Sequence, residues 1–327
     1  MKEPLYRQAF VHSWKLAWQH KFLWVFGLFA AFLGQMGILE LLSKVTIASS
    51  DYALNPKWLA LPKLIKYMLA DLSGYSLPVD GWIWMIWLAV IVLGACIVLT
   101  FLSVTSQGAL VYSAAQSVKD KNLPDSRKSW HVGVKHFWRL FFLNLVKKIV
   151  MVLLSVAAGY GALNFVIVES GWGLVLFLLL FLLTILVGMV LSFLVIYAAG
   201  YVVVEEYSLG RSIEAAWKLF SSHRLVSLEV GLLVLLSNFA LGAILVFAFI
   251  VLFFPTLLSW FVAALTANIA LYAAGTIVGV ILFTLFMVFA GSVFVVFTTT
   301  VWTYLFMKMH KVGIKSRILH WGGHYKK

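Results

Sequence analysis

Long uncharged apolar runs alternate with short basic amphipathic stretches along this chain. Runs of spanning length occupy residues 22–42, 82–104, 149–168, 173–197, 230–254 and 273–297. About 20 apolar residues cross ~30 Å of hydrocarbon as a helix. Nothing between Val230 and Met307 is charged, which is far too long for one crossing, and Pro255 with the softer stretch to Asn268 predicts the turn that divides it. The pattern predicts an all-α polytopic integral membrane protein with six transmembrane helices, a single membrane domain over 1–327.

The amphipathic stretches precede the first, third and fifth runs, and they resemble one another. Ser13-Trp14-Lys15-Leu16 with His20, Ser129-Trp130-His131-Val132 with His136, and Ala216-Trp217-Lys218-Leu219 with His223 each place a His six positions after the Trp. Self-similarity at equivalent places predicts three repeats, 5–118, 119–206 and 207–309, followed by a basic tail over 310–327. Each unit is expected to be a surface helix followed by a transmembrane hairpin. In the first, Tyr6, Phe10, Trp14 and Trp18 recur at helical spacing with Arg7, Lys15 and Lys21 mostly off that stripe, the pattern of an interfacial helix.

The second run of each unit extends without charge over 82–118, 170–204 and 271–307. A helix of some 35 residues reaches ~50 Å, so each is expected to tilt, break or project past the membrane. The inner thirds of these runs carry the polar residues. Ser106, Gln107, Tyr197, Thr299 and Thr303 are candidates for lining a cleft; the competing and favoured reading is hydrogen bonding to neighbouring helices or to their own backbone, typically worth ~0.6 kcal/mol each.

Composition and charge sharpen the picture. Of 327 residues, 63% are hydrophobic and 11% charged, with a net charge of +13. Twenty-one of the 25 Lys and Arg fall in the N-terminus, the second and fourth loops and the C-terminus, against Lys44, Lys57, Lys63 and Lys66 on the other side. The positive-inside rule then puts both termini in the cytoplasm, with the first helix an uncleaved anchor. The basic balance reads as attraction to anionic lipid headgroups, not to nucleic acid. The segment 43–81 reads as an amphipathic helix on the outer leaflet with Pro62 in its first turn, and 255–268 as an interfacial or re-entrant loop.

Candidate chemistry is sparse. Trp14, Lys15, His20, Trp130, Lys135, His136, Trp217, Lys218 and His223 are the expected headgroup anchors. Lys147, Lys148 and Glu229 border apolar runs; they are read as snorkelling to the headgroups or, more sharply, as an ion pair between units two and three. All eight histidines lie on the basic side, without metal-ligand spacing, and Cys96 is the sole cysteine. No phosphate loop or nucleophile elbow occurs, so no metal, cofactor or enzymatic activity is expected.

The Ser13 to Leu16 core and its relative Ala216 to Leu219, the Gln107-Gly108-Ala109-Leu110 stretch, and Leu209-Gly210-Arg211-Ser212-Ile213-Glu214-Ala215 together resemble a broad group of bacterial polytopic proteins. These are related to the membrane domain fused to some glycerophosphodiester phosphodiesterases. The resemblance covers nearly the whole chain as a pattern. It implies the six-helix membrane fold but no catalytic residue, because the phosphodiesterase is a separate soluble barrel whose acidic and histidine metal ligands have no counterpart here. The expected function is non-catalytic engagement of anionic lipid at the cytoplasmic leaflet; the alternative is a transporter or channel with a cytoplasm-facing cleft.

Overall fold

A computed structural model describes residues 5–33, 79–119, 125–168 and 171–312. Its elements are α1 (Leu5–Gln19), α2 (Phe22–Ala31), α3 (Val79–Lys119), α4 (Ser126–Lys135), α5 (Phe137–Val168), α6 (Gly171–Val204), α7 (Leu209–Ser222), α8 (Arg224–Thr266) and α9 (Ile269–Val312). Five of these, α3, α5, α6, α8 and α9, are long and apolar enough to cross a membrane. The chain is therefore an all-helical, multi-pass membrane protein as far as it is described. The first apolar run begins in α2, and its continuation over 34–42 lies outside the described residues. So do the amphipathic helix expected within 43–81, which is described only from Val79, and the basic tail beyond Val312.

The helices α1, α4 and α7 each meet the helix that follows at a histidine. The His20, His136 and His223 N–H groups donate to the carbonyls of Leu16, Val132 and Leu219, at 3.2, 3.2 and 3.1 Å, and end α1, α4 and α7. The carbonyls of the same histidines accept from the N–H of Leu23, Leu140 and Ser227, at 3.0, 3.1 and 3.0 Å, and open α2, α5 and α8. Each joint redirects the chain while satisfying the groups that a helix end leaves unpaired.

Above the joints, α3, α6 and α9 pack against one another and form the centre. The helix α2 lies against α9 and α3, α5 against α3 and α6, and α8 against α9, with Tyr197 of α6 bonded to Ser227 of α8 at 2.7 Å. Each short helix covers the long helix that precedes it: α4 packs on α3, α7 on α6, and α1, at the other end of the chain, on α9. Small residues one turn apart make these contacts close. Ala9, Ser13 and Ala17 are fully buried in α1, Ser129 and Gly133 in α4, and Ser212 and Ala216 in α7. The buried residues gather at this basic end, whereas every side chain from Ile86 to Leu99 in the far half of α3 is exposed.

Two boundaries differ from the sequence expectation. The third spanning helix begins at Phe137, not at 149, because Phe137–Val146 continues the same helix and packs through Leu140, Leu143 and Asn144. Lys147 and Lys148 thus stand inside a candidate span, Phe137–Ala157. The turn between the last two spans falls at Ala267 and Asn268, the far end of the expected stretch 255–268, while Pro255 sits within α8. Residues 255–266 are accordingly helix, not a re-entrant loop. In an apolar medium the single N–H that proline lacks costs less than the several groups exposed by ending the helix. At the actual turn Ala267 adopts the left-handed conformation, φ 52°, and the Asn268 carboxamide oxygen accepts from the N–H of Ala270 and Leu271 at 3.0 and 3.2 Å.

Candidate functional site

The residues expected to anchor lie at the three helix joints. On α1 and α7, burial of the small residue and the aliphatic residue (Ser13 and Leu16; Ala216 and Leu219) turns the intervening Trp and Lys outward. Trp14 is 55% exposed and Trp217 51%. The second collar departs from this. Trp130 is half-buried and stacks on Phe26 at 6.2 Å, so its ring already serves a contact between α4 and α2. Two exposed tryptophans that sequence reasoning left out of the anchor set, Trp18 and Trp138, lie near the same joints. Trp138 was recoverable from its spacing, since it falls off the buried stripe of α5.

The histidines and lysines of the collars differ among themselves. His20 and His223 are half-buried, and His223 Nδ1 lies 2.8 Å from Ser222 Oγ. His136 is 1% exposed, so its imidazole faces the protein interior and not a headgroup. Neither of its ring nitrogens has a hydrogen-bond partner among the described residues, and Nε2 is 3.9 Å from Glu206 Oε1. Burial first, then the Arg139 charge, hold the His136 pKa below its ordinary value; Glu206 opposes this and Lys135 adds to it. Lys15 is exposed. Lys135 Nζ donates to Glu206 Oε1 at 2.6 Å, and Lys218 Nζ to Glu214 Oε1 at 2.7 Å. These hydrogen bonds, then the lysine charges, lower both carboxyl pKa values. Exposed pairs of this kind are weak, so both ammonium groups stay accessible to other anions.

The residues expected to line a cleft divide into two groups. Gln107, Thr299 and Thr303 meet at a cavity of about 50 Å³ between α3, α5, α6 and α9, with Lys147, Ser192, Thr298 and Trp302 in the same lining. Asn144 Nδ2 donates to Gln107 Oε1 at 2.7 Å and to the Leu140 carbonyl at 2.9 Å, fixing one edge. Ser106 and Tyr197 are fully buried; Tyr197 bonds Ser227, and Ser106 Oγ has no partner. Lys147 was read from the sequence as an inner-edge group, but it continues the buried stripe of Leu140, Leu143 and Asn144 and is half-buried, while Lys148 is exposed. Glu229 is half-buried near the start of α8.

An apolar groove of about 390 Å³ opens between α1, α8 and α9, with Trp14 and Trp18 on one wall and Leu241, Ile244, Phe289 and Phe297 among the others. Trp14 meets Phe297 edge-on at 5.9 Å. Among the described residues no three His, Cys, Asp or Glu side chains gather in a metal-binding arrangement. No family model, curated protein or solved structure matches this chain.

Proposed function

We propose that the protein engages anionic lipid at one leaflet through its three helix joints, which face the cytoplasm of a bacterial inner membrane. The observation that carries this reading is the outward display of Trp14 beside Lys15 and of Trp217 beside Lys218, on helices whose opposite faces are sealed against the bundle. An amphipathic indole suits the headgroup level, and a neighbouring cation adds roughly 1 kcal/mol of attraction to an anionic surface. The groove under Trp14 and Trp18 gives such a lipid a place for one acyl chain. Three units closing into a ring, with α4 on α3, α7 on α6 and α1 on α9, would repeat the collar around the bundle, and the contacts between these pairs support that arrangement. The activity is non-catalytic on this reading.

The test is lipid retention by the full chain purified in mild detergent, measured by native mass spectrometry after exposure to phosphatidylglycerol or phosphatidylcholine. Replacing Lys15, Lys135 and Lys218 together by Gln should remove the preference for phosphatidylglycerol, and raising salt should do the same to the wild type. An undiminished preference overturns the reading. A second reading, transport through a polar cleft, is favoured by the cavity at Gln107, Thr299 and Lys147. It predicts solute flux in proteoliposomes that Q107L or T299V alters and the triple lysine change does not.

A further inference from the structure

The cavity between α3, α5, α6 and α9 is built unlike a gap in helix packing. Its described lining includes a cation, Lys147, which the buried stripe of α5 turns toward the bundle interior. Trp302 lines it too, is 3% exposed, and its indole Nε1–H has no hydrogen-bond partner among the described residues. Indole N–H can only donate, and a buried donor left unmade is unfavourable, so this group points to an acceptor that the described residues do not supply. The threonine hydroxyls are used otherwise. Thr298 Oγ1 donates to the Phe294 carbonyl at 3.0 Å and Thr303 Oγ1 to the Thr299 carbonyl at 2.8 Å, which leaves their oxygen lone pairs for a protonated group or for water.

We propose that this cavity binds a small oxyanion, a carboxylate or phosphate-type group, held by the Lys147 ammonium and the Trp302 indole N–H beside Gln107. Size supports the class. A water-sized atom needs roughly 10–15 Å³ of such space, so about 50 Å³ takes three to five of them, the heavy atoms of a carboxylate or a tetrahedral oxyanion. An ammonium carries three donors, so Lys147 can serve an oxyanion together with a neighbouring protein group. An ionisable side chain placed inside a span and turned toward the bundle interior commonly marks a ligand or ion path. This site stands apart from the exposed collars and does not rest on the lipid reading.

The test uses the full chain in detergent and follows its thermal unfolding midpoint against sodium acetate and sodium phosphate, with sodium chloride at equal ionic strength as reference. A saturable rise with either oxyanion is expected, lost in K147M and shifted to about tenfold weaker affinity in W302F, which removes the N–H donor. If K147M does not yield folded protein, W302F carries the comparison alone, and an unchanged affinity in it overturns the proposal. A parallel arm measures phosphatidylglycerol retention by native mass spectrometry. Retention lost in K147M but kept when Lys15, Lys135 and Lys218 are replaced assigns the oxyanion to a lipid headgroup; a response to acetate or phosphate alone assigns it to a free solute. No response beyond chloride together with Lys147-independent retention means that the cavity holds only water, and the proposal falls.

Discussion

Gly133 lets α4 lie directly on α3: a Cβ there would run into the Thr105 carbonyl oxygen and come within 3.1 Å of the Ala109 nitrogen. Backbone cannot move aside as a flexible side chain can, so G133A should destabilise the protein by about 1–3 kcal/mol, seen as a lower thermal midpoint. At Gly242 a Cβ meets nothing within 4 Å. There G242A should be neutral or stabilising by up to about 1 kcal/mol, because alanine favours the helix. His136 offers a test in pH. Its folded pKa lies below the ordinary 6.5, so its contribution is complete above that value and is lost as pH falls through the folded pKa, where the unfolded chain has already taken up a proton. H136Q should therefore flatten the loss of thermal stability between pH 7 and 5. His12, also lowered by burial, has the same sign and will leave part of the slope. A slope identical to wild type would show that His136 does not contribute. Nothing in the sequence separates His136 from His20 and His223, since all three follow a Trp by six positions; what sets it apart is its burial, 1% exposed where the other two are half-buried.

The helix joints were more legible than the turns. Basic amphipathic stretches ending at His20, His136 and His223 announced three short helices, and the backbone breaks at those histidines. The last turn is narrower than the expected stretch 255–268 because proline is a strong local signal and Asn268 a quiet one. Inside lipid the ranking reverses: Asn268 satisfies two N–H groups at the start of α9, whereas Pro255 forgoes a single bond within α8. N268A should lower stability by about 1 kcal/mol, as loss of an N-terminal cap does. A267G should hold or raise it by up to about 1 kcal/mol, because glycine enters the left-handed region freely. Both follow from thermal midpoints in detergent, and a gain on N268A would argue against the cap.

Assembly of the bundle depends on pairs far apart in the chain. The fit of α1 against α9 joins the two ends through Phe10 on Phe297, at 5.5 Å, and His12 near Tyr304, at 5.4 Å. Between α5 and α8, the pairing of Lys147 with Glu229 expected from the sequence can be tested by charge exchange. K147E and E229K should each reduce the yield of folded protein, and the double variant should recover part of it; a double variant no better than the worse single one excludes the pair. The amino-acid sequence was sufficient for the apolar helices and for the places of the basic amphipathic stretches and polar segments along the chain, because periodicity and hydropathy are properties of a helix on its own. It could not say that Trp130 stacks within the protein, that His136 is enclosed, or that Lys147 and Trp302 share a cavity with Gln107 and Thr299. Those facts depend on which distant helix covers each face and in what register, and a face is defined by local spacing while its neighbour is chosen by packing across more than a hundred residues of chain.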